Sequence, residues 1–487
     1  MREESYREAS FDSGSPLSIY DYSRFLIGHS LRFLLGDIAV EHKRKGKGGL
    51  GQMVEELFFR YEVNSSRKAD FGEAGVELKC TPLLRNKADG SFRIKERLVC
   101  TMIDYFELVD TRFEDSHLLA KCRLMLLLFY LHVSGLPIYD YEFLYRVLWQ
   151  IPEKDLLLIK RDYDTIADKV RRGEAHLLSE GDTMYLGAAR KGQKGDGPQS
   201  QPFSTIKANK RAFSLKPAYM RYILRHVVES GKDSFTNYVS AGKPEYELVG
   251  AEELKRSSFE EIIIKRFSGF YGLNYLEICA KLGITPYQSK SKYADVAGLI
   301  ASNSKSKRIA DSEEFVKSGI MMKTVRLSAN GMPEESMSFK NIDYQEVFDN
   351  DDWFESEAYE IFTNRFLFVV FKPEPGETIT VHNNKTDLDV TEQSYILDKV
   401  FFWTMPPEDL ANARLYWENI RENVVDNKIQ LSEFWKIADN RDFHVRPKAS
   451  VKVQLTPNPQ GGMAEKFCYW FNAAYVKRII DSNSKNV

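Results

Sequence analysis

The chain has 487 residues, a length that favours two or three domains over one. Its composition, with 43% hydrophobic and 28% charged residues, is ordinary for a soluble globular protein. The net charge of -2 by itself neither indicates nor excludes a nucleic-acid partner. The most apolar stretch, residues 124–133, is too short to cross a membrane. Residues 1–16 are polar and lack the apolar segment of a signal peptide, and we predict that they form a mobile tail.

The cysteines point to a reducing compartment, so we predict a cytoplasmic location. There are five, an odd number, and none stands in a C-x-x-C pair, which argues against a zinc site or a disulfide framework. They are Cys80, Cys100, Cys122, Cys279 and Cys468.

The first part of the chain predicts helices and strands around a basic loop. Apolar residues recur at helical spacing over residues 17–36, and a basic, Gly-rich loop follows at 43–51. The next segment predicts a helix that carries Glu55. Residues 75–81 alternate like a half-buried strand, and residues 98–103 predict a second strand.

Further along, helical patterns occur over residues 116–131, 154–170 and 216–228. Residues 184–189 and 211–215 predict extended segments between them. Helices and strands that mix without strict alternation indicate an α/β or α+β fold.

Two polar stretches interrupt this pattern. Residues 231–257 are rich in Gly, Ser, Lys and Glu, lack periodicity and predict a linker between domains. Residues 373–393 are polar and predict a long loop.

A local basic field lies inside this nearly neutral protein. Between residues 190 and 225 there is one acid, Asp196, among nine basic residues, which are Arg190, Lys191, Lys194, Lys207, Lys210, Arg211, Lys216, Arg221 and Arg225. Such a field is typical of a DNA-binding face. A solvated surface would give the same charge run, so charge alone leaves both interpretations open.

The two halves of the sequence resemble each other. Three motifs recur in the same order, and a tandem duplication explains this better than chance. The matching segments are 75–81 with 319–325, 148–156 with 402–410, and 216–224 with 472–480. We therefore predict two copies of one fold, at residues 17–230 and 258–487.

A site for chemistry is predicted where the first copy of the repeat begins. On a strand, residues two apart share a face, so Glu77 and Lys79 point the same way. Asp70, in the turn before the strand, can approach the same point. Two carboxylates that converge form a site for a hard cation such as Mg²⁺. A neighbouring ammonium can orient water or stabilise the charge that grows on a scissile phosphate.

The D-x6-E-x-K pattern is weak by itself, because a surface strand with a salt bridge has the same residues. Its context strengthens it: an apolar strand pattern, Gly75 at its start, and Glu55 on a preceding helix. A Walker A motif and an H-E-x-x-H motif are absent from the sequence.

These motifs resemble a known family. Lys47-Gly48-Gly49-Leu50-Gly51 followed by Glu55, then Asp70, Gly75-Val76-Glu77-Leu78-Lys79 and Pro82, is similar to MutH and the related Sau-type restriction endonucleases. The latter carry two MutH-like domains in one chain and cut at GATC. Similar segments continue in the same order at residues 180–192, 211–216, 335–339 and 444–447. The resemblance implies two restriction-endonuclease-like PD-(D/E)xK domains, each with a mixed central sheet flanked by helices.

The resemblance assigns roles to individual residues of the first copy. It implies that Asp70 and Glu77 bind Mg²⁺ and are catalytic together with Lys79, while Glu55 supports the metal site. A second active-site lysine falls at Lys121, with His117 as the alternative at this position. The implied DNA contacts are Lys47, Gly48, Lys191, Arg211, Ser214 and Lys216.

The second copy departs from this pattern. Met321 stands in place of Glu77, Glu314 in place of Asp70 and Lys265 in place of Glu55. A thioether is a poor ligand for a hard cation, so we predict that this copy does not cut.

The second copy nevertheless retains residues for DNA binding. It keeps Lys323, and Arg446 and Lys448 resemble a DNA-reading segment of the family. The resemblance implies an effector DNA site that promotes dimer formation or looping. The alternative is that this copy only buttresses the first.

These observations predict a type II restriction endonuclease that makes Mg²⁺-dependent double-strand cuts in duplex DNA, with GATC as the implied site and a DNA methyltransferase as the implied companion. The alternatives are a mismatch-repair nicking endonuclease, which the tandem copy disfavours, and a non-cleaving sensor of DNA modification, which the intact trio disfavours.

Overall fold

The computed structural model describes residues 9–42, 49–61, 68–86, 90–191, 197–230, 233–234, 246–305, 308–447 and 453–483. The chain forms two compact units. The first is Met1–Glu245 with Val316–Ser318, and the second is Tyr246–Phe315 with Gly319–Val487. Among the described residues, no helix is both long enough and apolar enough to span a membrane.

The first unit is built on a five-stranded mixed sheet and a three-stranded antiparallel sheet. Its described helices are α1 (Pro16–Ser23), α2 (Leu31–Leu35), α3 (Asp37–Glu41), α4 (Gly49–Met53), α5 (Tyr105–Leu108), α6 (His117–Cys122), α7 (Glu153–Arg171) and α8 (Pro217–Ser230). Its described strands are β1 (Glu77–Arg85), β2 (Phe92–Ile94), β3 (Leu98–Met102), β4 (Leu124–Leu131), β5 (Phe143–Gln150), β6 (Leu186–Arg190), β7 (Gln199–Gln201), β8 (Ser204–Ala208), β9 (Arg211–Leu215) and β10 (Asp233–Ser234).

The larger sheet has the order β10-β5-β4-β1-β2. Strands β1 and β4 are parallel, with Glu77 opposite Met125, and β4 and β5 are antiparallel. One core lies on the face that carries Val76, Leu78, Leu126, Leu128 and Leu148. The smaller sheet, β3-β9-β6, is antiparallel throughout, and β7 and β8 form a separate hairpin.

The second unit repeats this plan. Its described helices are α9 (Ala251–Arg256), α10 (Phe259–Arg266), α11 (Tyr275–Leu282), α12 (Lys292–Ser302), α13 (Glu313–Ser318, whose last three residues group with the first unit), α14 (Tyr344–Asp349), α15 (Glu357–Thr363), α16 (Pro407–Val425) and α17 (Ala473–Ser482). Its described strands are β11 (Met321–Arg326), β12 (Met337–Asn341), β13 (Phe366–Asn383), β14 (Leu388–Trp403), β15 (Phe443–Arg446), β16 (Leu455–Pro457), β17 (Met463–Glu465) and β18 (Cys468–Phe471).

The strand pairing confirms the internal repeat. Sheet β11-β13-β14 reproduces β1-β4-β5, with a parallel pair followed by an antiparallel pair. Sheet β12-β18-β15 reproduces β3-β9-β6. The long helices α7 and α16 both have 19 residues. The predicted fold class, a tandem of mixed α/β domains with helices around mixed sheets, is therefore confirmed.

A repeated hydrogen bond marks equivalent positions in the two units. Tyr219 Oη donates to Asp155 Oδ2 at 2.7 Å, and Tyr475 Oη donates to Asp409 Oδ2 at 2.8 Å. In each unit the aspartate lies in the first turn of the long helix, and the tyrosine lies in the helix that follows the smaller sheet. The two units thus share side-chain contacts as well as topology.

The predicted helix over residues 116–131 is wrong in its second half. Helix α6 ends at Cys122, and residues 124–131 form β4 at the centre of the sheet. Residues 125–129 are fully buried, so the strand is apolar on both faces. Without alternation, periodicity does not distinguish a buried strand from a buried helix.

The predicted loop over residues 373–393 is also wrong, because β13 and β14 run through it as a long hairpin. Ile379 and Val381 are buried, and polar residues alternate with them. The polar composition reflects the outward face of a hairpin, and a register shift between Pro373 and Thr378 accommodates the Pro- and Gly-containing segment.

The segment at residues 17–36 is likewise not one helix. Helix α1 ends at Ser23, Gly28 has a φ of +80°, and α2 starts afresh after Ser30, whose hydroxyl accepts from Phe33 N–H.

Of the predicted N-terminal tail, residues 1–8 lie outside the described residues. Phe11 packs on Tyr22 with ring centroids 4.7 Å apart, so this part of the tail is held on the core.

Candidate active site

A tight turn brings Asp70 to the strand that carries Glu77. Phe71 and Val76 exchange backbone hydrogen bonds across the turn, and Gly75 has a φ of +65°, which favours glycine. The chain therefore folds back, and Leu78 N–H donates to Asp70 Oδ2 at 2.9 Å. Asp70 is thereby fixed beside the start of β1.

Alternation along β1 separates the core from the site, as the sequence predicts. Val76 and Leu78 are buried in the core, whereas the side chains of Glu77 and Lys79 meet each other. Lys79 Nζ donates to Glu77 Oε1 at 2.6 Å. Glu77 is only 1% exposed, so this ion pair lies in a largely dehydrated environment.

A second lysine reaches the same carboxylate. Lys121 Nζ lies 3.3 Å from both Oε1 and Oε2 of Glu77. Its helix, α6, starts at a cap in which Ser116 Oγ accepts from Leu119 N–H. The alternative residue, His117, pairs instead with Glu107 at 2.9 Å. The Glu77 carboxylate thus contacts two lysines, Lys79 and Lys121.

Glu55 approaches the site from a π-helical turn. Residues 54–58 form this turn directly after α4, a geometry that often occurs at functional sites. Burial, with the negative charges of Asp70 and Glu77, raises the pKa of Glu55 to about 7. Burial and the neighbouring Glu77 carboxylate also raise the pKa of Asp70, against the hydrogen bond from Leu78 N–H. Three carboxyl groups therefore crowd one region.

This donor set fits a hard divalent cation. The crowded carboxyl groups offer only oxygen atoms, and a dication would relieve the repulsion that, together with burial, raises the pKa of Asp70 and Glu55. Among the described residues, no three His, Cys, Asp or Glu side chains are close enough to hold an ion without further ligands. Two carboxylates completed by water and substrate oxygens are the usual arrangement for Mg²⁺. Asp70 and Glu77 are the residues that would hold it.

The predicted DNA contacts of the first copy fall into three groups. Lys47 and Gly48 lie outside the described residues. Lys191 is exposed just after the end of β6, where a DNA phosphate could reach it. The remaining three, Arg211, Ser214 and Lys216, are buried.

The buried residues of this set hold the smaller sheet together. The Arg211 guanidinium donates to the carbonyls of Ala188, at 2.6 Å, and Leu178. Lys216 Nζ donates to the carbonyl of Thr183. Ser214 is completely buried in β9, so these residues support the sheet from inside.

The second unit has different residues at the equivalent site. Met321 opens β11 opposite Phe366, as Glu77 opens β1 opposite Met125. Lys323 Nζ donates to the carbonyl of Ser338 at 2.7 Å and lies 4.1 Å from the centre of the Phe339 ring.

Three further positions of the second unit differ from the first. Glu314 is buried and accepts from the N–H groups of Leu248 and Val249. Ile361, the fifth residue after the capping Ser356, occupies the position that Lys121 has after Ser116. Sequence reasoning missed this loss because the helix positions are aligned only by their caps. Lys265, the predicted replacement of Glu55, lies in α10.

Of the predicted DNA contacts in the second copy, Lys448 lies outside the described residues. The Arg446 guanidinium lies 3.9 Å from the centre of the Trp470 ring, and Trp470 Nε1 donates to the Arg446 carbonyl at 3.1 Å. His444, on the same strand as Arg446, is buried, and its ring also stacks on Trp470. Burial and Arg446 lower the pKa of His444 to about 4, so it is neutral at physiological pH.

Sequence reasoning also missed a buried carboxylate in the first unit. Asp162 accepts from the N–H groups of Met184 and Tyr185 at 2.7 Å and of Leu186 at 2.9 Å. Burial raises its pKa to about 6 even though three donors oppose the shift. Asp162 therefore ties α7 to the start of β6, a strand that leads to Lys191.

Comparison with known proteins gives a family match over this part of the chain. The model of the family described as DNA mismatch repair enzyme MutH matches residues 59–162, which include Asp70, Glu77, Lys79 and Lys121. The chain is 28% identical to the type II restriction enzyme Sau3AI of Staphylococcus aureus, over 95% of this chain and 98% of that protein. It is 24% identical to the DNA mismatch repair protein MutH of Shewanella woodyi, over 39% of this chain and 80% of that protein.

The first unit contains a MutH-like segment, and the comparisons support an endonuclease. The match to the restriction enzyme runs through both units, whereas the match to the repair protein covers less than half of the chain. The predicted resemblance is thus confirmed: the chain is similar to the MutH and Sau-type endonucleases, and this similarity supports a site-specific deoxyribonuclease. Enzymes of this class use a divalent metal ion.

Proposed function

We propose that this protein is a type II restriction endonuclease that uses Mg²⁺ to cut both strands of duplex DNA at a short palindrome, GATC. The observation that carries the proposal is the buried Glu77 carboxylate between Lys79 and Lys121, with Asp70 and Glu55 beside it. The full-length similarity to a type II restriction enzyme supports restriction over mismatch-repair nicking. The GATC target rests on the family resemblance.

The residues of the site have separate tasks in this proposal. Asp70 and Glu77 hold the metal, which when bound polarises the scissile phosphate and lowers the pKa of the attacking water. Lys79 and Lys121 pair with the buried Glu77 carboxylate and place positive charge beside the oxygens of the pentacoordinate phosphorus, where negative charge develops. Glu55, with its pKa near 7, accepts a proton from water in the same site.

The second unit binds DNA without cutting it in this proposal. Met321 and Ile361 replace a metal ligand and a lysine, which leaves no catalytic set at that position. Arg446 lies at the end of β15, beside the segment that contains Lys448. We assign this unit an effector site that binds a second DNA segment and promotes dimer formation.

The proposal has consequences for the cell. With one cutting centre per chain, cleavage of both strands calls for two chains on the DNA or two successive cuts by one. An enzyme that cuts at a short palindrome also requires protection of the host DNA, so we propose a companion DNA methyltransferase. The enzyme acts in the cytoplasm, where foreign DNA arrives.

The test is cleavage of an unmethylated plasmid of known sequence, followed by sequencing of the ends. Wild-type protein with Mg²⁺ should give discrete double-strand cuts at GATC, and Glu77→Ala should abolish them. Glu153→Gln is the matched control, because this glutamate is 80% exposed on the same unit. Binding without cutting by the wild type, on methylated and unmethylated DNA alike, would instead identify a DNA-binding sensor.

A further inference from the structure

The tip of the hairpin β7–β8 exposes large apolar side chains. Phe203 is 72% exposed at the turn, and Ile206 on β8 is 55% exposed. Burial of an aromatic ring is a major source of stability, so its exposure at a hairpin tip does not serve the fold of this unit.

The backbone at the same residue is strained. Phe203 is the second residue of the two-residue turn Pro202–Phe203 and has a φ of +58°. Glycine and asparagine are preferred at that position of a turn, and a bulky side chain there is rare. Strain of this kind is kept mainly where it serves function.

The backbone of the hairpin is nevertheless fixed by hydrogen bonds and close packing. Gln201 is buried, accepts from Ala175 N–H at 2.8 Å and donates to the Ile206 carbonyl at 2.6 Å. At Gly173 an added Cβ would lie 2.6 Å from the Phe203 carbonyl oxygen, so only glycine allows this approach. The Phe203 ring is thus presented by a fixed backbone.

The second unit repeats the feature at the equivalent place in its chain. Hairpin β16–β17 lies between β15 and β18, as β7–β8 lies between β6 and β9. Leu455 and Met463 are 55% and 59% exposed on this second hairpin. They share one face, because Leu455 pairs with Glu465 and Pro457 with Met463.

We propose that the hairpin β7–β8 is a DNA wedge, in which Phe203 inserts against the base stack beside the target site. This inference rests on the proposed function, because it requires duplex DNA to lie against this face of the first unit. The hairpin follows the exposed Lys191, and residues 197–210 include Lys207 and Lys210 but no acid. Cationic surroundings suit the DNA backbone, and an apolar side chain that enters a groove unstacks a base step and bends the duplex.

The test compares Phe203→Gly with wild type on duplexes that carry single 2-aminopurine probes at positions flanking GATC. Ca²⁺ replaces Mg²⁺ so that the DNA stays intact. Glycine removes the ring and also suits the positive φ, so thermal stability should stay the same or rise. Phe106→Ala is the matched control, because Phe106 is 56% exposed on α5 of the same unit.

Wild type and Phe106→Ala should raise the fluorescence of at least one probe. Phe203→Gly should lose that rise and bind the duplex about tenfold more weakly. Equal fluorescence and equal DNA affinity for all three proteins would overturn the proposal that Phe203 is a wedge. Unchanged DNA binding with an altered sedimentation coefficient of Phe203→Gly would also overturn it, in favour of a contact between protein chains.

Failure of the proposed function gives a different result. If wild type binds DNA but does not cut it with Mg²⁺, the restriction activity is wrong, and the same fluorescence comparison still decides the wedge. If wild type does not bind duplex DNA, both proposals fall.

Discussion

Glu77 shows how a few side chains define the candidate active site. A carboxylate that is 1% exposed would ordinarily be costly, and two ammonium groups, Lys79 and Lys121, offset that cost. The same two lysines lie beside the group that would hold the metal. In the second unit Lys323 instead contacts Ser338 and Phe339, so the position of a lysine without its partners does not make a site.

The raised pKa of Glu55 predicts a measurable pH effect on stability. An acid whose pKa rises on folding, here from 4.5 to about 7, ionises first in the unfolded chain. Its contribution therefore destabilises the metal-free protein progressively as the pH rises from about 4.5 toward 7. Glu55→Gln should remove this loss, so the variant should gain ~1–3 kcal/mol over wild type at pH 8 but little at pH 4.5.

Urea unfolding in EDTA at several pH values measures this difference. The same variant should cut DNA more slowly than wild type when Mg²⁺ is added. A stability difference that does not change with pH would show that Glu55 has an ordinary pKa. Glu142→Gln on the same unit provides a comparison for the general effect of removing one negative charge.

At the scale of elements, Asp162 links helix α7 to strand β6. Asp162→Asn would replace an acceptor of three backbone N–H groups with an amide that also carries donors. We expect a loss of about 2–4 kcal/mol in the free energy of unfolding, typical for a buried hydrogen-bond network. Asp168→Asn, at a residue whose side chain is 57% exposed in the same helix, should have almost no effect. Equal denaturation midpoints for the two variants would contradict this role of Asp162.

The elements that the sequence predicts well are those with clear periodicity or caps. The predicted helix at 154–170 matches α7, and the predicted strands at 75–81 and 98–103 match β1 and β3 to within a few residues. Strand β4 was predicted as a helix because both of its faces are buried and its pattern does not alternate.

The proximity of Asp70, Glu77 and Lys79 could be predicted because the three residues lie within ten positions, on one strand and its preceding turn. The burial of Arg211, Ser214 and Lys216 could not be predicted from the sequence. It depends on carbonyl groups in distant segments, such as those of Leu178 and Thr183. Basic residues close together in sequence therefore divide between the surface and the interior of the smaller sheet. Their roles as DNA contacts stay predictions.

At the scale of the whole molecule, duplication has produced two units with one plan and different chemistry. The first has Glu77 on β1 and Lys121 on α6, and the second has Met321 and Ile361 at the equivalent positions of β11 and α15. The hairpins β7–β8 and β16–β17 both remain exposed and apolar. The replacement of Glu77 and Lys121, with retention of these hairpins, supports our proposal that the second unit binds DNA without cutting it.

The central claim is that one site in the first unit performs all cleavage. Single-turnover cleavage of a duplex with one GATC site, with Mg²⁺, tests it on wild type and two matched variants, Glu77→Gln and Met321→Gln. These substitutions place glutamine at equivalent positions of β1 and β11. We predict that Glu77→Gln abolishes cleavage and that Met321→Gln cuts at the wild-type rate. Cleavage that survives Glu77→Gln, or is lost in a folded Met321→Gln, would contradict the account.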